Sequence, residues 1–304
     1  MSTRASTTAE WPLAAPRARA APSLWARLRR HRAAVVGLVV LGALLAAAVA
    51  APVLFPEDPT EPRFERVLRP PSSEHPLGTD NLGRDLLARV VYGGRVSLLI
   101  GVLAVTLSLA TGVPVGLLSG YYGGTFDLVV QRLVDLLLAF PGFLLALTLV
   151  AVLGVGVTNV VVAVGLAAAP GYVRLVRAVV LSARTQTYVE AARGLGASDL
   201  RILWRHVLPN CVAPVVVQST LQLGTAILTA AGLGFLGLGV KPPTPEWGTM
   251  LGEGQTYLFS SWYMATFPGL AIFLTVLAFN LVGDGLRDAL DPRMQRFATE
   301  EVQP

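Results

Sequence analysis

Residues 96–118 read VSLLIGVLAVTLSLATGVPVGLL and contain no charged side chain. A helix needs about 20 apolar residues to cross the hydrocarbon core of a bilayer, where its backbone polar groups must hydrogen-bond to one another. This stretch meets that requirement, so it predicts a membrane-spanning helix. If other parts of the chain repeat the pattern, the fold is all-α and lies in a membrane.

Five other stretches repeat it. Hydrophobic residues form 53% of the 304 positions and charged residues only 14%, whereas a soluble domain has about 25% charged residues. We therefore predict a polytopic membrane protein with six transmembrane helices. The predicted spans are residues 33–55, 96–118, 128–155, 157–176, 212–240 and 265–282.

The charges predict how the chain is oriented. Basic residues number 24 against 19 acids, and seven arginines lie between Arg4 and Arg32, directly before the first span. Because cytoplasmic segments of membrane proteins are rich in Lys and Arg, this distribution places both termini in the cytoplasm and indicates no nucleic-acid partner. The predicted layout is an Arg-rich, largely disordered tail 1–32, an outer loop 56–95, a core 96–283 with a cytoplasmic loop 177–210, and a cytoplasmic tail 284–304.

The first span has two interpretations. Its Ala-rich end at residues 48–51 resembles a signal-peptide cleavage site, and Arg29-Arg30 resembles part of a twin-arginine signal. However, the apolar run exceeds the 7 to 15 residues typical of a signal peptide. We predict an uncleaved membrane anchor.

The spans lack the groups that power or catalyse reactions. Arg132 and Asp135, three residues apart near one end of the third span, are predicted to form a structural ion pair. Otherwise the predicted membrane cores carry no Asp, Glu, His or Lys for ion coupling, and the chain has no GxxxxGK[ST] nucleotide loop. Cys211 is the single cysteine and the three histidines are scattered, so we expect no metal, no cofactor and no enzyme activity. A self-contained secondary transporter is correspondingly disfavoured.

Proline and glycine interrupt two spans. Phe140-Pro141-Gly142 lies within the third and should kink or break it; such breaks either line transport pathways or merely improve packing. Small residues in the fifth span predict close packing against a partner subunit. These residues are Gly224, Gly232, Gly234, Gly237 and Gly239.

The long inner loop contains YVEAARGLGASDLRILWRHVLPN, residues 188–210. Helix formers from Glu190 to Arg193 precede the stop signals Gly194 and Gly196, and Ser198 with Asp199 suits the start of a second helix. An apolar stripe should follow on that helix, formed by Leu200, Leu203, Trp204 and Val207. The sequence predicts two short helices joined by a tight turn. By periodicity alone, they either protrude from the membrane or lie on its surface.

Several segments together resemble one family. Glu190-Ala191-Ala192, Gly196 and Leu208-Pro209 are similar to the EAA motif of binding-protein-dependent ABC importer permeases. The run from Arg205 to Asn210, which includes His206, resembles the peptide and nickel branch of that family. His75-Pro-Leu-Gly-Thr-Asp-Asn-Leu-Gly-Arg-Asp85 resembles the outer-loop signature of its C-type subunits. Asp80, Asn81 and Asp85 in that signature lack EF-hand spacing, so we expect a turn there in place of a calcium site.

The resemblance implies a type I ABC importer permease fold in the cell membrane of a bacterium or archaeon. It implies a homologous B-type permease partner, two cytoplasmic ATPase subunits that hydrolyse ATP, and an external substrate-binding protein. The substrate implied is a dipeptide or oligopeptide, with nickel or glutathione as the alternative. Independently of the resemblance, the break at Phe140, Pro141 and Gly142 makes these residues candidates to line the translocation path, with a packing role as the alternative. The residues implied in coupling to the ATPase are Glu190, Ala191, Ala192, Arg193, Gly194, Gly196, Ala197, Ser198 and Asp199.

Aromatic residues cluster in the outer segment 241–263. They would anchor the chain at the membrane interface or meet the binding protein, and we favour anchoring. These residues are Trp247, Tyr257, Trp262 and Tyr263.

Overall fold

A computed structural model describes residues 24–29 and 31–290 of the chain. Within those residues the regular structure is helical, apart from one isolated bridge between Thr79 and Asp85. The all-α prediction is therefore confirmed. The helices are α1 Leu24–Leu28, α2 Arg32–Leu54, α3 Leu86–Tyr122, α4 Gly124–Leu138, α5 Gly142–Leu153, α6 Val157–Ala183, α7 Thr187–Gly194, α8 Asp199–Ile202, α9 Leu208–Phe235, α10 Trp247–Gln255 and α11 Tyr263–Leu290.

The described residues contain five long apolar helices and one bent pair of apolar helices. α2, α3, α6, α11 and the continuous run Asp199–Phe235 are each long and apolar enough to cross a membrane. α4 and α5 form the sixth segment, but they meet at an angle of 92° across residues 139–141. The third predicted span is thus broken at Pro141, as its proline suggested. Most of the N-terminal tail 1–32, which was predicted to be largely disordered, lies outside the described ranges, but its described part contains α1 and the first residue of α2.

α3 begins at Leu86, well before the predicted start of its span at residue 96. The carboxylate of Asp85 caps the helix by accepting a hydrogen bond from the backbone N–H of Ala88 at 2.8 Å. Arg89, in the first turns, is only 1% exposed because carboxylates surround its guanidinium. The segment between α2 and α3 is therefore shorter than the predicted loop 56–95. A buried, paired arginine extends the helix where a solvated loop was expected.

Glycines allow α3 to lie directly against α6. Gly112, Gly116 and Gly120 recur every four residues and share one face of α3. A methyl group on Gly116 would lie 2.7 Å from the carbonyl oxygen of Val173, and one on Gly120 would lie 2.8 Å from Cβ of Val180. Such small-residue repeats let helix backbones approach closely in a membrane. This helix pair forms the centre of the bundle.

The glycines near the end of α9 also pack within the chain. A methyl group on Gly232 would lie 2.8 Å from the ring of Phe143, and one on Gly234 would lie 2.9 Å from the backbone nitrogen of Thr249. Residues 237 and 239 follow the end of the helix at Phe235. The prediction that this glycine-rich stretch packs against a partner subunit is therefore wrong for Gly232 and Gly234.

The bundle has two polar ends. The loop end carries residues 184–207, which we call the loop segment, together with the last turns of α3, α6 and α11. The far end carries residues 56–85 and α10. α3 spans the whole distance between the two ends, about 55 Å for its 37 residues.

A buried ion cluster holds the far end together. The Asp80 carboxylate contacts Nε of Arg84 at 2.6 Å and Nη1 of Arg89 at 3.2 Å. Glu253 of α10 contacts Nη2 of Arg89 at 3.1 Å and Nη2 of Arg84 at 3.6 Å. Buried charges require such pairing, since burial without a partner is costly. Both the 56–85 segment and α10 are thereby fixed to the first turns of α3.

Candidate functional site

α7 presents the Glu-Ala-Ala sequence and ends in a tight turn at Gly196. The N–H of Gly196 donates to the carbonyl oxygen of Arg193, and the N–H of Ala197 donates to that of Ala192, each at 3.0 Å. These two bonds form a Schellman motif, which needs a left-handed residue at its turn. Gly196 supplies it with a φ of +80°. A methyl group there would meet nothing within 4 Å, so the backbone conformation, and not close packing, requires glycine.

α7 has one buried face and one open face. Val189 is fully buried beneath the helix, in an apolar cluster with side chains from α6, the turn after α8 and α9. Ala192 and Ala197 are partly buried against the same cluster. Glu190 and Ala191 are exposed on the opposite face. The helix is thus seated on the bundle and leaves its glutamate available to a partner.

The second short helix is not a separate element. Ser198 has the extended backbone of an N-cap residue, as predicted, but its side chain makes no capping hydrogen bond. α8 passes through a π-helical turn, Leu203–Val207, directly into α9. The stretch from Asp199 onward is therefore the first part of the fifth span.

The predicted apolar stripe is divided between two surfaces. Leu203 and Val207 are buried, whereas Leu200 and Trp204 are 65% and 64% exposed. Leu195, in the turn after α7, is 89% exposed. The four stripe residues therefore lie on two faces of the helix. Ile202, which the stripe did not include, joins Leu203 and Val207 on the buried face. The loop segment consequently carries exposed apolar side chains beside the exposed Glu190.

Tyr121, near the end of α3, holds the loop segment. Its hydroxyl donates to Oδ1 of Asp199 at 2.6 Å, and the Arg193 guanidinium lies 5.9 Å from its ring centroid. Nη2 of Arg193 also donates to the Tyr121 hydroxyl at 3.4 Å, and this contact raises the pKa of Arg193 above its ordinary value. Arg184 donates to the carbonyl oxygens of Gly120 and Tyr121 at 2.9 and 3.3 Å. Sequence reasoning missed Tyr121 because no local pattern marks a contact across 78 positions.

His206 has a packing role. Its ring centroid lies 6.5 Å from that of Tyr188, and its carbonyl oxygen accepts a hydrogen bond from Nδ2 of Asn210 at 2.6 Å. Nδ2 of Asn210 also donates to the Tyr188 hydroxyl at 3.0 Å. These contacts join the start of α7 to the start of α9.

Ion pairs fix α4 to α6 at the loop end. The Asp127 carboxylate receives two hydrogen bonds from the Arg177 guanidinium, each at 2.6 Å. Asp135 pairs with Arg174 at 2.6 Å, and both side chains are exposed. The predicted pair between Asp135 and Arg132 is therefore wrong. An arginine on a neighbouring helix approaches closer than the one on the next turn.

The bend between α4 and α5 borders an apolar cavity of about 410 Å³. Its walls come from α3, α4, α5 and α6, and include Val115, Leu133, Leu149 and Val173. Phe140, Pro141 and Gly142 lie at the bend and are exposed, but they are not among the residues that line the cavity. The structure therefore places these residues beside the cavity.

At the far end, two of the four predicted anchor aromatics are internal. Trp247 is 2% exposed and its Nε1 donates to the carbonyl oxygen of Val90 at 2.8 Å, while Tyr263 is 3% exposed. Trp262 remains 56% exposed. The preference for membrane anchoring is thus wrong for Trp247 and Tyr263, which hold the far end together. In the same region Asp85 caps α3 and its carboxylate contacts Nδ1 of His75 at 2.8 Å, in agreement with the predicted turn.

Residues 112–296 match the family described as binding-protein-dependent transport system inner membrane component. Residues 23–71 match the N-terminal transmembrane domain of oligopeptide transport permease C. The chain belongs to this permease family. The first match contains α7, its turn, α8 and the bend between α4 and α5, and the resemblance to this family is confirmed.

Curated relatives are similar over most of their length. The di/tripeptide transport system permease protein DppC of Pseudomonas aeruginosa is 47% identical over 280 residues, covering 90% of this chain and 92% of its own. The glutathione transport system permease protein GsiD of Pectobacterium atrosepticum is 49% identical over 273 residues, covering 89% and 90%. The dipeptide transport system permease protein DppC of Alkalihalophilus pseudofirmus is 45% identical over 269 residues, covering 88% of each chain.

Solved structures share the permease fold. A chain of the methionine ABC transporter MetNI, in an inward-facing conformation, superimposes with a TM-score of 0.52 and 23% identity. A second chain of that transporter aligns with the same score, covering 68% of this permease and 98% of its own length. The permease therefore has the type I ABC importer fold. As a member of this family it is a multi-pass inner-membrane protein that works with ATPase and substrate-binding partners.

Proposed function

We propose that the permease forms half of a peptide translocation path. ATPase subunits bind its loop segment, and their ATP hydrolysis drives transport. The observation that carries this proposal is the open surface of that segment, where Leu195, Leu200 and Trp204 are exposed beside Glu190. Leu200 and Trp204 are four residues apart and therefore neighbours on the helix surface, and grouped exposed apolar side chains mark an interaction surface. A short helix seated in a groove of its partner is a common mode of recognition.

The residues of the segment divide the work of docking. Glu190 accepts a charge-assisted hydrogen bond from the ATPase, and Ala191 leaves room for close approach. Gly194 is the last residue of α7, and the left-handed Gly196 forms the turn that exposes Leu195. Arg193 and Asp199 face Tyr121, Ala192 and Ala197 pack on the bundle side of the turn, and Ser198 lies exposed at the start of α8.

The complete importer contains further subunits. A homologous B-type permease supplies the other half of the path, two ATPase subunits hydrolyse ATP at the cytoplasmic face, and a binding protein delivers substrate to the far end. This permease therefore hydrolyses no ATP itself. We place it in a bacterial cell membrane with the loop end and both termini in the cytoplasm.

The substrate class is peptides. Relatives that are 45–49% identical are named for dipeptides, di/tripeptides and glutathione, which is itself a small peptide. These names favour a short peptide over a nickel chelate. We further propose that the bend at Phe140, Pro141 and Gly142 faces the path, since these exposed residues border an apolar cavity.

The docking surface is tested by Leu195→Asp. A charge in the centre of an apolar contact should reduce the amount of ATPase subunit that copurifies with the permease about tenfold. Phe64→Asp is the matched control, because Phe64 is also an exposed apolar residue, at 72%, but lies at the far end. It should retain the wild-type amount of ATPase. Undiminished ATPase in Leu195→Asp would remove the docking proposal.

A further inference from the structure

We infer that Tyr121 is the positioning residue that transmits movement of the loop segment to α3. α3 then carries that movement to the far end of the permease. This inference rests on the proposed function, since it concerns how the proposed docking site acts on the rest of the chain.

Tyr121 contacts both sides of the exposed turn. On the α8 side its hydroxyl donates to Asp199 at 2.6 Å, and on the α7 side its ring lies beside the Arg193 guanidinium. The Tyr121 side chain is only 8% exposed, whereas its partners Arg193 and Asp199 lie at the surface. Hydrogen bonds to charged groups are the stronger kind in proteins. A shift of the turn relative to α3 would break the contact of Tyr121 with Asp199 or its contact with Arg193.

A second contact fixes the start of the loop segment to the same point. Nη1 of Arg184 donates to the carbonyl oxygens of Gly120 and Tyr121, which lie in the last turn of α3. These carbonyls have no partner within the helix, and a cation is favourable at this negative end. The segment is therefore attached to α3 before α7 and again after it.

The opposite end of α3 is attached just as firmly. Arg89 pairs with Asp80 and with Glu253 of α10, and the carbonyl oxygen of Val90 accepts from Nε1 of Trp247. α3 is a single helix from Leu86 to Tyr122. A displacement at Tyr121 is thus delivered, through one continuous helix, to α10 and the 56–85 segment. Coupling of this kind needs a physically continuous set of contacts, and α3 provides it.

Tyr121→Phe tests the inference because it removes one hydroxyl and keeps the ring. The wild-type and variant importers, with all subunits, are reconstituted in liposomes. The measured quantity is the ratio of dipeptide imported to ATP hydrolysed. Losing a hydrogen bond to a charged group should lower this ratio about tenfold. Tyr122→Phe is the matched control, since Tyr122 is adjacent and 57% exposed. Its ratio should equal that of the wild type.

Asp199→Asn and the double variant complete the test. If the Tyr121–Asp199 bond carries the movement, the double variant should be no worse than Tyr121→Phe, because both changes break the same contact. ATPase retained by Tyr121→Phe should match the wild type, since its exposed docking surface is intact. This retention separates the inference from the docking proposal.

An unchanged ratio in Tyr121→Phe would overturn the inference while leaving the docking proposal standing. An equal fall of this ratio in Tyr122→Phe would also overturn the inference. So would a thermal melt showing that Tyr121→Phe lowers the ratio only because less of the complex is folded. A wild-type complex that hydrolyses ATP but imports no peptide would overturn the proposed function itself.

Discussion

Gly196 is the residue on which the shape of the docking surface depends. Its φ of +80° costs a residue with a side chain about 1–2 kcal/mol, although the space around it is open. Gly196→Ala should therefore loosen the turn without a clash, and peptide import should fall several-fold.

Gly194→Ala is the control for this change. Gly194 lies two residues earlier and ends α7 with an ordinary helical backbone, and a methyl group on it would also meet nothing within 4 Å. Alanine there should leave import unchanged or raise stability by up to about 1 kcal/mol. Equal import by the two variants, measured in the same liposomes, would show that the left-handed turn is unimportant.

Local patterns predicted some residues of the candidate site and not others. Gly196 was predictable, because a glycine after a run of helix formers favours a left-handed turn. Tyr121 was not, since its partner Asp199 lies far along the chain and no periodicity marks the pair. The exposure of Leu200 and Trp204 was also missed. Helical spacing shows which residues share a face, but not which face a neighbouring helix covers.

At the scale of elements, α10 depends on close contact with α9. A methyl group on Gly248, in the first turn of α10, would lie 2.3 Å from the carbonyl oxygen of Ala231. Because the clashing atoms belong to the backbone of α9, Gly248→Ala should lower the free energy of unfolding of the permease by about 1–3 kcal/mol. The measurement is the thermal inactivation midpoint of the detergent-purified complex.

Gly42→Ala is the control for Gly248→Ala. Gly42 lies within α2, and a methyl group there would meet nothing within 4 Å. Its inactivation midpoint should stay at or slightly above the wild-type value, since alanine favours a helix more than glycine does. Equal midpoints for the two variants would mean that α9 and α10 separate without cost.

The sequence predicted those helix boundaries that depend on local residues, and missed those that depend on distant partners. The break between α4 and α5 was predictable because Pro141 removes a donor and clashes with the preceding turn. The start of α3 was not predictable, because Arg89 resembles a loop residue until its partners Asp80 and Glu253 are known. The repeat of Gly112, Gly116 and Gly120 is a sequence signal for the close approach of α3 to α6, because small residues at this spacing share one helix face.

At the scale of the whole molecule, the charges at the two ends predict the orientation. The loop end is rich in arginine and poor in acids, whereas the far end carries similar numbers of both. Membrane proteins retain arginine-rich segments in the cytoplasm, so we expect the loop end to face inward. The arginines in or beside the loop segment are Arg174, Arg177, Arg184, Arg193, Arg201 and Arg205.

Single-cysteine labelling tests this orientation directly. Cys211 is the one natural cysteine and is buried, so it should react little with a maleimide in the folded protein. Ser198→Cys adds an exposed thiol at the loop end, and Ser73→Cys adds one at the far end. In intact cells a membrane-impermeant maleimide should label Ser73→Cys and spare Ser198→Cys. Opening the cells should expose both sites. The reverse pattern in intact cells would invert the orientation and place the loop segment beyond the reach of a cytoplasmic ATPase.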